Sequence, residues 1–147
     1  MEPELRANPD LALDVVGVGN AIVDVISTVP EAFLDQHGLV KGAMTLIDTE
    51  RATSLYAAMP PGIETSGGSA ANTMAGVASL GGRSAYIGKV RDDQLGEVFA
   101  HDTRNGGVGF DAPFATEGEP TARSLIVVTP AGERTMNTFL GISAFLN

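Results

Sequence analysis

Residues Gly67 to Gly96 read GGSAANTMAGVASLGGRSAYIGKVRDDQLG. The two leading glycines and the small residues after them predict a turn followed by a helix over 70–80. Ser84 to Val90 is β-prone and predicts a strand, and Asp92-Asp93 predicts the cap of the next helix. This order of helix, strand and helix is typical of an α/β fold with a parallel sheet.

The chain on either side of this stretch contains more extended segments than one parallel sheet requires. Leu11 to Gly19 predicts a buried strand that arrives at a tight turn, and Ala43 to Ile47 predicts another strand. A short helix is predicted over 30–37. A second helix is predicted to begin at Asp48, with one apolar face made of Ala52, Leu55, Tyr56 and Met59. The surplus strands, 22–28, 43–47 and parts of 121–139, predict a small second sheet. Within it, Thr121–Thr129 and Arg134–Leu140 flank the turn signal Pro130-Ala131-Gly132-Glu133, which indicates a hairpin.

Composition excludes several classes of function. The 147 residues are 44% hydrophobic and 18% charged, and 9 basic against 18 acidic residues give a net charge of −9. No basic run is present, so nucleic acid is not expected as a partner. With no cysteine, disulfides and thiolate metal sites are excluded. Met1 to Asp10 lacks the apolar core of a signal peptide, and no apolar run approaches the roughly 20 residues of a membrane helix. We therefore expect a soluble, cytoplasmic protein that does not bind membranes.

The glycine pair Gly67-Gly68 is the first candidate for a binding function. Glycines leave the backbone open to a ligand, and the helix start that follows exposes unpaired N–H groups. Asn72 lies in the first turn of that helix, and its amide can donate to and accept from ligand hydroxyls. The alternative is a plain turn with a helix cap, in which the alanines serve only packing.

The segment Gly17-Val18-Gly19-Asn20-Ala21-Ile22-Val23-Asp24 begins like a dinucleotide-binding fingerprint. Ile22 stands where the third glycine belongs, and the segment reads as strand where that fingerprint needs a helix. Asp24 is unusual because it is an acid between Val23 and Val25, and an unpaired carboxylate is costly to bury. Either Asp24 accepts hydrogen bonds from the hydroxyls of a ligand, or it faces solvent on an alternating strand. The GKVRDDQLG segment, 88–96, is open to a purely architectural interpretation.

Together these segments resemble the phosphofructokinase-B (PfkB), or ribokinase-like, carbohydrate kinase family, in its adenosine-kinase-like branch. The resemblance rests on the glycine pair, the asparagine, the glycine-bounded helix and the GKV-x-DD-x-x-G stretch within 67–96. GNAIVDV and ARSLIVVTPAGERTMNTF follow the family in the same order, so the resemblance covers 13–144. Met74 and Arg91 depart from the family pattern, at slots usually held by small residues.

The resemblance implies a ribokinase-like doubly wound α/β sheet, here incomplete, with a small β-sheet lid formed approximately within 22–48 and 115–139. It implies a small-molecule sugar or nucleoside as the ligand, and in some members a homodimer formed through the lid. The substrate-binding residues carried over are Asn20, Asp24, Gly67, Gly68, Asn72 and Arg134. Asn20 and the stretch Gly42 to Leu46 favour a nucleoside such as adenosine.

The resemblance also implies parts that this sequence lacks. The family's catalytic base lies in a D-T-x-G-A-G-D motif, and neither that motif nor an Asn-x-x-Glu metal motif occurs in the 147 residues. We therefore expect the chain to be the N-terminal part of one kinase domain, with no catalytic residue of its own and no activity by itself. ATP and Mg²⁺ are expected for the complete enzyme and not for this chain. The alternative is a non-catalytic carbohydrate- or nucleoside-binding module. A dinucleotide-dependent oxidoreductase would require a helix after Gly19.

Overall fold

The structure, a computed structural model, describes residues 12–147. Met1 to Asp10, whose sequence argues against a signal peptide, lie outside the described residues. The described strands are β1 (Val15–Val18), β2 (Ile22–Thr28), β3 (Met44–Leu46), β4 (Ile63–Gly67), β5 (Ser84–Ile87), β6 (Ala122–Val128) and β7 (Arg134–Phe139). The helices are α1 (Glu31–Gln36), α2 (Thr49–Ala58), α3 (Ser69–Ser79) and α4 (Gln94–Asn105), followed by a short 3₁₀ helix (Gly141–Phe145).

The strands form two sheets. β1 and β5 pair in parallel, with Gly17 opposite Tyr86. The other strands form a five-stranded mixed sheet in the order β3-β7-β6-β2-β4. In that sheet β2 runs parallel to β6 and antiparallel to β4, and β6 and β7 form the antiparallel hairpin that the sequence predicts. The structure thus combines a two-stranded parallel sheet with a separate five-stranded mixed sheet.

Alternation along β2 separates the two faces of the five-stranded sheet. Val23 and Val25 are buried in the main hydrophobic core, together with Leu125 and Val127 of β6. Asp24 lies on the opposite face, which also carries the exposed side chains of Met44, Leu46, Ile63 and Met136. Asp24, the candidate ligand-binding acid, therefore lies on a strand whose other face packs into the hydrophobic core.

Helix α3 packs against both strands of the two-stranded sheet. Met74 is buried, and a Cβ added to Gly17 would come within 2.8 Å of its Cγ. The Ser84 hydroxyl donates to the Met74 carbonyl oxygen at 2.8 Å. The large side chain at position 74 is thus accommodated because the facing residue of β1 is glycine.

Two expectations from the sequence are wrong, and one strand has no signal in the sequence. β1 is not the buried strand that the sequence predicts, because the side chains of Val16 and Val18 are exposed. β4 is the strand without a sequence signal, because Ile63–Gly67 reads IETSG between Pro-Pro-Gly and Gly-Ser and lacks a β-prone pattern. It is an edge strand, formed through pairing with β2. Tyr56, which is predicted on the apolar face of α2, is instead exposed, and its hydroxyl donates to Glu64 at 2.7 Å.

No helix within residues 12–147 is long and apolar enough to cross a membrane.

Candidate functional site

The glycine pair lies where edge strand β4 meets helix α3. Gly67 is the last residue of β4, and Gly68 precedes the first helical residue, Ser69. Gly68 has φ +91°, in the region that residues with a side chain rarely adopt. A Cβ at Gly68 would also come within 2.9 Å of the Asn20 carbonyl oxygen. Glycine is therefore required here by both its own backbone and its neighbour.

The Asp24 carboxylate lies directly against the backbone of Gly67. A Cβ added at Gly67 would meet all three atoms of that carboxylate group at 2.5–2.6 Å. The side chain is half-buried, and within residues 12–147 no hydrogen-bond partner of the carboxylate is found. The two oxygens thus present acceptor positions beside the buried backbone of Gly67 and the half-buried backbone of Gly68.

The electrostatic environment of Asp24 is unfavourable for a charge. Burial raises the pKa of the Asp24 carboxyl above its ordinary value, and the positive charge of Arg134 offsets part of that effect. Arg134 begins β7 and its side chain is exposed. A carboxylate in this setting gains more from hydroxyl donors than a fully hydrated one, because it has already lost part of its water.

The two asparagines occupy different positions. Asn20 lies in the turn between β1 and β2, exposed, with its backbone against Gly68. Asn72 is exposed on α3, and its backbone N–H donates to the Gly68 carbonyl at 2.9 Å as part of the helix. The structure therefore brings Asn20, Asp24, Gly67 and Gly68 together, with Arg134 close enough to affect the pKa of Asp24. Asn72 stands one turn along the helix and makes no described contact with Asp24.

Sequence reasoning missed Tyr86, whose hydroxyl lies close to Gly19, the residue before Asn20. The side chain is buried among Phe99 and Phe110, and its hydroxyl has no hydrogen-bond partner within the described part of the chain. The hydroxyl faces Gly19, where an added Cβ would be 3.3 Å from it and 3.1 Å from the Ala70 Cβ. Burial raises the pKa of Tyr86 to about 12. In the sequence, the only signal that points to Tyr86 is a tyrosine within the predicted strand Ser84 to Val90.

The turn after β1 also decides between two classes of nucleotide chemistry. A dinucleotide-binding fingerprint needs a helix after Gly19, and the chain instead enters β2 at Ile22. The structure therefore contradicts a dinucleotide-dependent oxidoreductase of that type. Within residues 12–147 no group of three or more His, Cys, Asp or Glu side chains could hold a metal ion.

The fold is a ribokinase-like α/β fold. It combines a parallel pair of strands packed against α3, a separate mixed sheet and a glycine pair between them. Residues 43–147 match the family described as pfkB family carbohydrate kinase. The chain belongs to this family.

Solved structures share this fold over nearly all of the chain. The adenosine kinase from Sinorhizobium meliloti is 55% identical, with a TM-score of 0.84 over 93% of this chain and 42% of its own. A probable sugar kinase from Rhizobium etli is 53% identical, with a TM-score of 0.84 over 92% of this chain and 41% of its own. Among curated proteins, the probable chloroplastic fructokinase-6 of Arabidopsis thaliana is 40% identical over 68 residues, which are 46% of this chain and 18% of that protein. The chain thus spans less than half of each of these relatives.

Proposed function

We propose that this chain is the substrate-binding part of an ATP-dependent kinase that phosphorylates a hydroxymethyl group of a nucleoside or sugar. In this proposal Asp24 accepts hydrogen bonds from ligand hydroxyls, and the ligand lies against the backbone of Gly67 and Gly68. Asn20, Asn72 and Arg134 contribute further polar contacts from the rim. ATP, Mg²⁺ and the catalytic base belong to parts of the kinase outside this sequence.

One observation carries the proposal, namely the Asp24 carboxylate held against bare glycine backbone without a partner among the described residues. A half-buried acid without a hydrogen-bond donor among residues 12–147 is costly, so its presence favours a ligand that supplies donors. Two vicinal hydroxyls, as on a ribose or hexose ring, match two acceptor oxygens. Membership of the pfkB family supports the same class of ligand.

Adenosine is the first candidate ligand. The solved structure with 55% identity over 93% of the chain is an adenosine kinase, whereas fructokinase-6 shows 40% identity over a shorter segment. Fructose is the second candidate because several of the curated relatives are fructokinases.

The competing proposal is a binding module without catalysis. Both proposals place the ligand at Asp24 and differ only in what the gene encodes beyond codon 147. Sequencing the downstream DNA separates them, since an in-frame D-T-x-G-A-G-D motif supports the kinase. A stop codon at that point supports the binding module.

Calorimetric titration of the 147-residue chain with adenosine, ribose and fructose tests the proposal. Asp24→Ala should weaken the best ligand about tenfold or more, because one or two charge-assisted hydrogen bonds are lost. Asp35→Ala removes an exposed acid from α1 and serves as the control, with unchanged affinity expected. If Asp24→Ala binds every ligand as the wild type does, Asp24 does not contact the ligand and the proposal is wrong.

A further inference from the structure

The backbone of Ser66, just before the glycine pair, is anchored by an acid from another element. β4 is the edge strand beside β2, so alternate N–H groups point away from the sheet. The Ser66 N–H donates to Oδ2 of Asp102 on α4 at 3.0 Å. About one third of the Asp102 side chain is exposed, and the other oxygen lies 3.5 Å from the exposed imidazole of His101.

The position of Asp102 within α4 is unfavourable for the helix itself. Residue 102 lies in the last turn of Gln94–Asn105, where the helix dipole favours cations and disfavours carboxylates. Arg104 supplies the favourable charge in the same turn. The acid at position 102 is therefore better explained by its bond to β4 than by any contribution to α4.

The segment that Asp102 anchors has little rigidity of its own. Glycine loses more backbone freedom on ordering than any other residue, and two glycines follow Ser66 directly. Binding through backbone groups depends on how well those groups are held before the ligand arrives. A charged hydrogen bond one residue upstream fixes the point at which β4 turns towards α3.

We propose that Asp102 is a positioning residue for the ligand site, which acts by holding Ser66 and thereby the Gly67-Gly68 backbone against Asp24. The inference rests on the proposed function, because it assumes that a ligand binds at that backbone. Asp102 does not touch the ligand in this arrangement. Its effect is transmitted through a single backbone N–H.

The test uses the 147-residue chain and compares Asp102→Ala, Asp102→Asn and Glu97→Ala. The first variant removes the acceptor, the second keeps an acceptor oxygen, and the third removes an exposed acid from the first turn of the same helix. Two quantities are measured, namely the affinity for adenosine and fructose by calorimetry and the exchange rates of the Ser66, Gly67 and Gly68 amides by NMR. If Asp102→Ala does not fold, Asp102→Ser, whose side chain is shorter, replaces it.

Asp102→Ala should increase the Ser66 exchange rate and weaken the affinity of the better ligand by about tenfold each, as for loss of one charged hydrogen bond. Asp102→Asn should keep most of the Ser66 protection and of the ligand affinity. Glu97→Ala should change neither the exchange rate nor the affinity. Faster exchange with unchanged affinity would overturn the positioning role and leave the proposed function intact. If the wild type binds none of the ligands, the proposed function fails, and the positioning role that rests on it fails too.

Discussion

At the scale of single residues, Asp24 is the group whose ionisation controls the proposed site. Its pKa is raised by burial, and its carboxylate lies on the Gly67 backbone. The charged form is therefore disfavoured in the fold but required to accept two ligand hydroxyls. This conflict makes both stability and ligand affinity depend on pH.

We predict that ligand affinity falls as the pH is lowered through the raised pKa of Asp24, because protonation removes an acceptor.

In the ligand-free chain, the stability of the fold should change with pH in the opposite direction. A folded-state pKa above the unfolded value means that the ionised group destabilises the fold at neutral pH, and this cost disappears as the pH falls towards the ordinary value of 3.8. Asp24→Asn should thus raise the melting temperature at pH 7 and have little effect near pH 3.8. Across pH 4–8, calorimetric titrations measure the ligand affinity and thermal melts measure the stability. An affinity that does not vary over this range contradicts the predicted loss of binding at low pH.

The orphaned hydroxyl of Tyr86 gives a second prediction at this scale. A buried hydroxyl without a partner costs about 1–3 kcal/mol, so Tyr86→Phe should raise the free energy of unfolding by about 1 kcal/mol while the ring packing is kept. Tyr56→Phe is the matched control, since it removes a hydroxyl that is bonded to Glu64 and should slightly lower that free energy. Urea denaturation measures both variants. Destabilisation by Tyr86→Phe would mean that the hydroxyl has a partner in solution, such as a bound water.

At the scale of elements, the start of α4 is joined to the start of β6 by one carboxylate. Asp93 caps α4 by accepting from the Gly96 N–H at 2.8 Å. It also accepts from the N–H and the hydroxyl of Thr121, at 2.9 and 2.6 Å. The Thr121 oxygen in turn accepts from the Arg91 N–H at 2.9 Å. The second aspartate of the VRDDQLG segment therefore has an architectural role, which is the alternative that the sequence left open.

Asp93→Ala should lower the free energy of unfolding by about 2–4 kcal/mol, from the lost helix cap and the two lost bonds to buried Thr121. Asp92→Ala is the matched control, because the neighbouring side chain is exposed and makes no described hydrogen bond. Denaturant unfolding followed by circular dichroism measures the difference. Equal stability of the two variants would show that the Asp93 network does not persist in solution.

At the scale of the whole molecule, binding and catalysis should separate. In the proposed site the Asp24 carboxylate lies against glycine backbone, while the 147 residues contain no D-T-x-G-A-G-D motif. A general base and an anion-stabilising loop each contribute orders of magnitude to the rate of such reactions. The chain is therefore expected to bind its ligand without transferring phosphate to it.

We predict no ATP-dependent phosphorylation of adenosine, ribose or fructose by the purified chain. The measurement is a coupled ADP-release assay, with the Sinorhizobium meliloti adenosine kinase as the positive control on adenosine. Asp24→Ala serves as a check for contaminating kinases, whose activity would survive the substitution. Turnover that is lost in Asp24→Ala would show that this chain supplies a catalytic base of its own.

Much of the architecture follows from local sequence signals. The alternation of Ile22–Thr28 predicts β2, Asp48 and Asp93 predict helix starts where the structure has them, and the Pro-Ala-Gly-Glu turn predicts the β6–β7 hairpin. The glycine pair and the acid in a β-branched strand likewise single out Gly67, Gly68 and Asp24. These signals can be read from the sequence because each depends on the chemistry of a few neighbouring residues.

Other features depend on pairing between distant residues, which no local pattern encodes. β4 exists because it lies along β2, and Tyr56 is exposed because α2 turns that face towards Glu64. Asp102 reaches Ser66 across 36 positions of sequence, and the Tyr86 hydroxyl meets Gly19 only after β1 and β5 pair. The sequence by itself therefore determined most of the elements, β4 excepted, and the residue types of the proposed site. Only the tertiary structure decided which residues support them, because edge pairing and burial arise when separate segments pack together.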